Sequence, residues 1–166
     1  MGGGKAAAWR VKRQVIVVSD SSPLISFGQL AETELLAKLF DNVLIPPAVR
    51  QETYEVLPLP RWVEERSLSQ PLSALTLRWR LGNGERQAIA LALELQADFL
   101  LMDDLVGRRA AISLGLKVLG TLGILLQAKE RKLVPAIKPL VEQLLAFGFH
   151  ADEELIGRVL QSAGEK

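Results

Sequence analysis

Apolar residues along the chain fall into two kinds of segment, short β-rich runs and longer stretches at helical spacing. Val15-Ile16-Val17-Val18 is a continuous β-branched run, the pattern of a strand buried on both faces, and it stops at the polar turn chemistry of Ser19-Asp20-Ser21-Ser22-Pro23. Leu35, Leu36, Leu39 and Phe40 then recur at helical spacing, and Asn42-Val43-Leu44-Ile45 reads as a second strand closed by Pro46-Pro47. Proline in a first turn opens a helix over 48–55. Residues 57–81, with Pro58, Pro60, Pro71 and two tryptophans, read as irregular structure with short helices. Asn83 is placed to cap a helix that reaches Leu95, with Ala88, Leu91, Ala92 and Leu95 on one stripe. A strand over 98–102 ends at Asp103-Asp104, a helix over 106–114 carries Arg108-Arg109, and a strand over 116–119 leads into a helix that starts at Gly120-Thr121. Helical segments over 137–147 and 152–160 complete the pattern. Strands alternating with helices predict the α/β class, a parallel sheet with helices on its faces.

At 166 residues and 49% hydrophobic content the chain suits one domain with a real core and is short for two. Its longest charge-free runs are eleven residues, well below a bilayer-spanning helix, and no signal-peptide pattern opens it, so a soluble, cytoplasmic protein is expected. Residues 1–14 carry Lys5, Arg10, Lys12 and Arg13 with no acid, a basic, glycine-rich extension expected to lie outside the fold. Beyond it 16 basic residues face 19 acidic ones, so the body is mildly acidic. The chain has no cysteine, which excludes disulfides, thiolate nucleophiles, zinc fingers and iron–sulfur clusters, and His150 is its only imidazole. A histidine-rich metal site is therefore excluded, and any serine triad would have to recruit His150.

What remains for chemistry is carboxylates. In an open parallel sheet the crevice outside the carboxyl ends of the strands is the usual ligand site, and Asp20, Asp103 and Asp104 all follow strands. Carboxylates converging there repel one another unless a cation offsets them, and oxygen ligands without histidine or cysteine favour Mg²⁺ or Mn²⁺. Such a site suits phosphodiester hydrolysis without a side-chain nucleophile. Each acid also has a plainer reading. An aspartate after a strand is often a turn former or helix cap, Glu85 complements a helix dipole, and Glu52 alone is a solvated helix charge. The adjacent Asp103-Asp104 pair is the hardest to explain without a ligand, because like charges side by side cost stability.

Four passages together resemble the PIN domain, in particular its prokaryotic branch close to VapC-type toxins: Val-Val-Ser-Asp20-Ser-Ser-Pro-Leu-Ile, Ile-Pro-Pro-Ala-Val-Arg-Gln-Glu52, Gly-Glu85-Arg-Gln-Ala-Ile-Ala-Leu-Ala, and Leu-Leu-Met-Asp103-Asp104. The resemblance takes in Gly107-Arg108-Arg109-Ala110 and Gly120-Thr121-Leu122-Gly123 and runs over about 15–160. It implies a three-layer, Rossmann-like α/β/α fold with C-terminal helices and one nuclease domain over 15–162, in which acids from separated segments bind one or two Mg²⁺ or Mn²⁺ ions and cut single-stranded RNA. Asp20 would be the central ligand, Glu52 and Glu85 flanking acids, and Asp103 or Asp104 the last. Two positions depart from the VapC pattern, Glu85 where an aspartate is common and Met102 where a threonine is. Arg86, Arg108 and Arg109 lie close enough in sequence to contact phosphate or to be surface charges. Similar proteins often form homodimers and are neutralised by a small antitoxin, and the C-terminal stripe of Leu144, Leu145, Phe147 and Phe149 suits either an interface or the core. His150 is expected at the surface or an interface.

Other classes fit less well. A haloacid-dehalogenase-type phosphatase needs a second aspartate two residues after the first, where this chain has Ser22, and no Gly-rich loop ends in Lys-Ser or Lys-Thr as a P-loop does. Gly82-Asn83-Gly84 lacks the third glycine of a dinucleotide fingerprint. The competing reading of a different kind is a PIN-like scaffold that binds or oligomerises without cutting anything.

Overall fold

The computed structural model describes residues 14–72 and 79–166. In chain order the elements are β1 (Val17–Ser19), α1 (Ser21–Gln29), α2 (Thr33–Phe40), β2 (Val43–Ile45), α3 (Pro47–Tyr54), β3 (Val63–Glu65), α4 (Asn83–Leu95), β4 (Phe99–Leu101), α5 (Leu105–Ser113), β5 (Val118–Leu119), α6 (Thr121–Glu130), α7 (Lys138–Ala146) and α8 (Glu153–Ser162). The five strands form one sheet in the order β3-β2-β1-β4-β5, every pair parallel. Helices cover it in a three-layer α/β/α arrangement. Helix α4 packs against α3 and α5, α6 packs against α2 and α8, and α1 touches α2, α3 and α6.

The central strands are short because their apolar runs are short, and they are buried because both faces are covered. Val17 and Val18 of β1 and Leu100 and Leu101 of β4 are buried together with Phe27 of α1 and Ile89 and Leu91 of α4. Each such side chain contributes about 1.5–3 kcal/mol by leaving water. Leu144 joins this core, whereas Leu145 and Phe147 remain 40% and 54% exposed, so the C-terminal apolar stripe is divided between packing and surface.

Three local expectations change. Helix α1 replaces the expected turn after β1: Pro23 falls in the first helical turn, where a proline is tolerated, and Pro23, Leu24 and Phe27 are buried. Strand β3 lies in the stretch read as irregular, since only Val63 of its three residues is buried and an edge strand with Glu64 and Glu65 exposed carries almost no apolar signal. Helix α4 begins one residue early, with Gly82 rather than Asn83 at the N-cap, and the Glu85 carboxylate folds over Gly82, where an added Cβ would lie 2.4 Å from Oε2. The basic extension expected over 1–14 lies outside the described residues apart from Gln14. No helix of the described residues is long and apolar enough to cross a membrane.

Candidate active site

Strand register brings the residues after β1 and β4 to the same level. Ser19 pairs with Leu101, and the Asp20 amide donates to the Leu101 carbonyl at 2.9 Å, so Asp20 emerges beside Met102 and Asp103. Here the strand order reverses, with β2 on one side of β1 and β4 on the other. Such a reversal opens a crevice, because successive connections leave in opposite directions.

Asp20 takes the N-cap position of α1 but makes no side-chain capping bond. It is 1% exposed, and its Oδ1 is buried without a hydrogen-bond partner. Burial pushes its pKa from 3.8 up to about 7; the Ser21 amide offsets part of this, and the charges of Glu85, Glu52 and Asp103 add to it. Glu52, Glu85 and Asp103 are thus near enough for their charges to act on Asp20, although the four acids come from the ends of two strands, the first turn of α4 and the body of α3.

The surrounding acids are held in different ways. Glu52 on α3 accepts from Ser21 Oγ at 2.7 Å through Oε2 and from the Gly84 amide at 3.1 Å through Oε1, tying α3 to the starts of α1 and α4. Gly84 permits this approach, since a Cβ there would lie 2.5 Å from Glu52 Oε1. The same two helices are joined where Gln87 Oε1 accepts from the Ala48 amide at 3.0 Å, which satisfies a free N–H in the first turn of α3. Asp103 accepts from Thr121 twice, from the amide at 2.7 Å and from Oγ1 at 2.6 Å. Burial raises the Asp103 pKa, while the Thr121 hydrogen bonds and the Arg108 charge pull it back.

Asp104 goes elsewhere. It caps α5, its Oδ2 accepting from the Gly107 amide at 2.7 Å, and its side chain is exposed. The adjacent acidic pair is thereby split between a crevice residue and a helix cap. Of the three arginines, Arg108 faces Asp103 and donates through Nη1 to the Met102 carbonyl at 3.1 Å. Arg86 donates through Nη2 to the Trp79 carbonyl at 3.2 Å, while its Nε is buried without a partner, and Arg109 is exposed. Thr121, Ser21 and Gln87 were not singled out as functional from the sequence. For Thr121 the available signal is a hydroxyl at the first helical position directly after β5.

Among the described residues no group of three or more acidic or histidine side chains is closed tightly enough to hold a metal ion. The donor chemistry nevertheless suits one. All four acids offer hard oxygen, and the partnerless Asp20 Oδ1 is an atom that a divalent cation would satisfy. An open, doubly wound parallel sheet with carboxylates gathered at its reversal point defines the class of this protein. A PIN domain family model matches residues 16–165, and the chain belongs to that family, whose fold is of the nuclease type. Among solved structures the fold is similar to that of a PilT N-terminus domain protein from the hyperthermophilic archaeon Sulfolobus solfataricus, at 20% identity and a TM-score of 0.51, over 84% of this chain and 98% of that one. No curated protein matches the chain.

Proposed function

We propose that this chain is a metal-dependent endoribonuclease that hydrolyses phosphodiester bonds of single-stranded RNA. The observation that carries this reading is Asp20, a carboxylate buried beside three other acids with one oxygen left without a donor. Such a group is costly unless a cation offsets it. Asp20, Glu85 and Asp103 are the side chains assigned to hold Mg²⁺ or Mn²⁺, and Asp104 is assigned to capping. A bound divalent ion supplies Lewis acidity toward a phosphate and lowers the pKa of water. The protein supplies position: Glu52 locks the starts of α1 and α4 together, Thr121 fixes the orientation of Asp103, and Arg108 offers positive charge for a phosphate at the crevice edge.

Two measurements test this. Titration of Mn²⁺ into the protein by calorimetry is expected to give saturable binding that Asp20→Asn removes. An unstructured oligoribonucleotide is expected to be cut by the wild type in Mn²⁺ and left intact by Asp20→Asn. If the wild type leaves RNAs of varied sequence intact, or if Asp20→Asn cuts as fast, the nuclease assignment is wrong. The competing reading, a PIN-like module that binds without cutting, draws on the loose spacing of the acids, and calorimetry showing no Asp20-dependent binding would favour it. We further infer that the chain is the toxin of a toxin–antitoxin pair and works as a homodimer. Sequence resemblance supports the first of these, and the exposed Leu145 and Phe147 support the second. A short adjacent reading frame encoding a DNA-binding protein, and a dimer mass in solution, are the corresponding tests.

A further inference from the structure

A cavity of about 640 Å³ opens directly beside the acidic crevice. Asp103 and Arg108, which belong to the crevice, line it together with Gly120, and so do Phe149, His150 and Leu155, contributed by the segment that leads into α8 and by α8 itself. Its volume is in the usual range for a small-ligand site, roughly 300–1,000 Å³. We propose that this cavity is a nucleobase pocket, which takes the base of a nucleotide adjacent to the scissile phosphate. The proposal rests on the ribonuclease reading of the crevice.

Three observations favour a base over other occupants. First, the pocket and the crevice share Asp103 and Arg108, so a group seated in the pocket lies within a nucleotide's reach of a phosphate at the acids. Second, the pocket combines an aromatic ring, a guanidinium and the chain's only imidazole among apolar side chains, with Asp103 and Asp152 as its two carboxylates. Unstacked RNA bases are recognised by this combination, with rings and guanidinium planes taking the face and polar groups the edge. Third, Gly123 lies inside α6 and lines the pocket, and a Cβ there would meet only Leu119 Cδ2 at an ordinary 3.6 Å. Alanine would favour the helix and would fit, so packing does not call for glycine, whereas an open pocket does.

The test uses the full chain labelled with ¹⁵N and titrated with the four nucleoside 5′-monophosphates and, separately, with ribose 5-phosphate. Amide shifts at Gly120, Gly123 and 149–152 are expected to saturate with at least one nucleotide and to require about tenfold more ribose 5-phosphate, the factor that the loss of one stacked base implies. Phe149→Ala is expected to remove that preference. Leu155→Arg, at a residue 38% exposed, keeps the question decidable if Phe149→Ala fails to fold. Equal affinity for ribose 5-phosphate and the nucleotides, or shifts that avoid these amides, overturns the proposal, as expected if the cavity instead receives a protein segment. Binding is measured without cleavage, so a protein that binds bases here but cuts no RNA refutes the nuclease reading alone, and one that cuts RNA with no base preference at these amides refutes the pocket alone.

Discussion

Asp20 and Asp104 occupy corresponding places, each at the N-cap of a helix that follows a central strand, yet only one of them caps. Asp104 is exposed and spends its carboxylate on the Gly107 amide, which explains it fully. Asp20 is buried, makes no capping bond, and has its pKa raised to about 7. A helix N-terminus rewards a carboxylate wherever it stands, but burial among other acids penalises it, and the second effect dominates at Asp20. The difference lies in what surrounds each carboxylate, since both strands are paired on both sides: Asp20 directly follows β1 and feels the charges of Glu85, Glu52 and Asp103, whereas Asp104 stands three residues past β4 at an exposed helix start.

Substitutions at the two positions should separate most widely in cleavage. Asp20→Asn is expected to reduce RNA turnover in Mn²⁺ on the order of 10³-fold, equivalent to about 4 kcal/mol, whereas Asp104→Asn, which keeps an acceptor for the Gly107 amide, should turn over like the wild type. Comparable losses at both positions would mean that Asp104 belongs to the site. The next effect is on stability. Asp20 holds its proton more tightly in the folded chain than in the unfolded one, so the stability it contributes is complete below 3.8 and is lost as pH rises through about 7. The ceiling on that loss is about 4 kcal/mol, and without divalent cations Asp20→Asn should abolish it. Urea denaturation in EDTA at pH 5 and pH 8 measures this; the wild type should weaken between them relative to Asp20→Asn, and parallel behaviour of the two would remove the case for a strained Asp20.

Smaller effects sharpen the contrast. Thr121→Val deletes the Oγ1 donor to Asp103 and leaves the backbone donor, so turnover should fall about tenfold while Mn²⁺ is still bound. A change confined to thermal stability would make Thr121 purely structural. Asp104→Ala should cost about 1 kcal/mol of stability through the lost cap, roughly 2–4 °C in Tm, with cleavage retained. A larger loss of activity than of stability there would again place Asp104 in the crevice.

The pattern of apolar positions determined most of this fold by itself. The β-branched run ending at Val18, of which Val17 and Val18 are buried in β1 while Val15 stays 46% exposed outside it, the helix from Pro47 with its proline start, the long amphipathic α4 and the Asp103-Asp104 strand end are all local features, set by periodicity and by proline and turn chemistry within a few residues. Asp20, Asp103 and Asp104 stand out as candidates by their places after strands once the lack of cysteine and the single histidine leave carboxylates as the available chemistry, whereas Glu52 and Glu85 are marked only by the family resemblance. Helix α1 and strand β3 were not legible: one hides behind a turn-like Ser-Ser-Pro and the other has a single buried residue. Nor does any local pattern distinguish Asp103 from Asp104, since neighbours in sequence share nearly every propensity. Only the tertiary structure separates them, by bringing Thr121 at the start of α6 against Asp103 and leaving Asp104 to the first turn of its own helix. Burial of Asp20 was decided in the same way. Apart from the Ser21 amide, the groups that act on it, Glu52, Glu85 and Asp103, lie more than thirty positions away, and a charge's cost depends on what surrounds it in space, which sequence spacing does not encode.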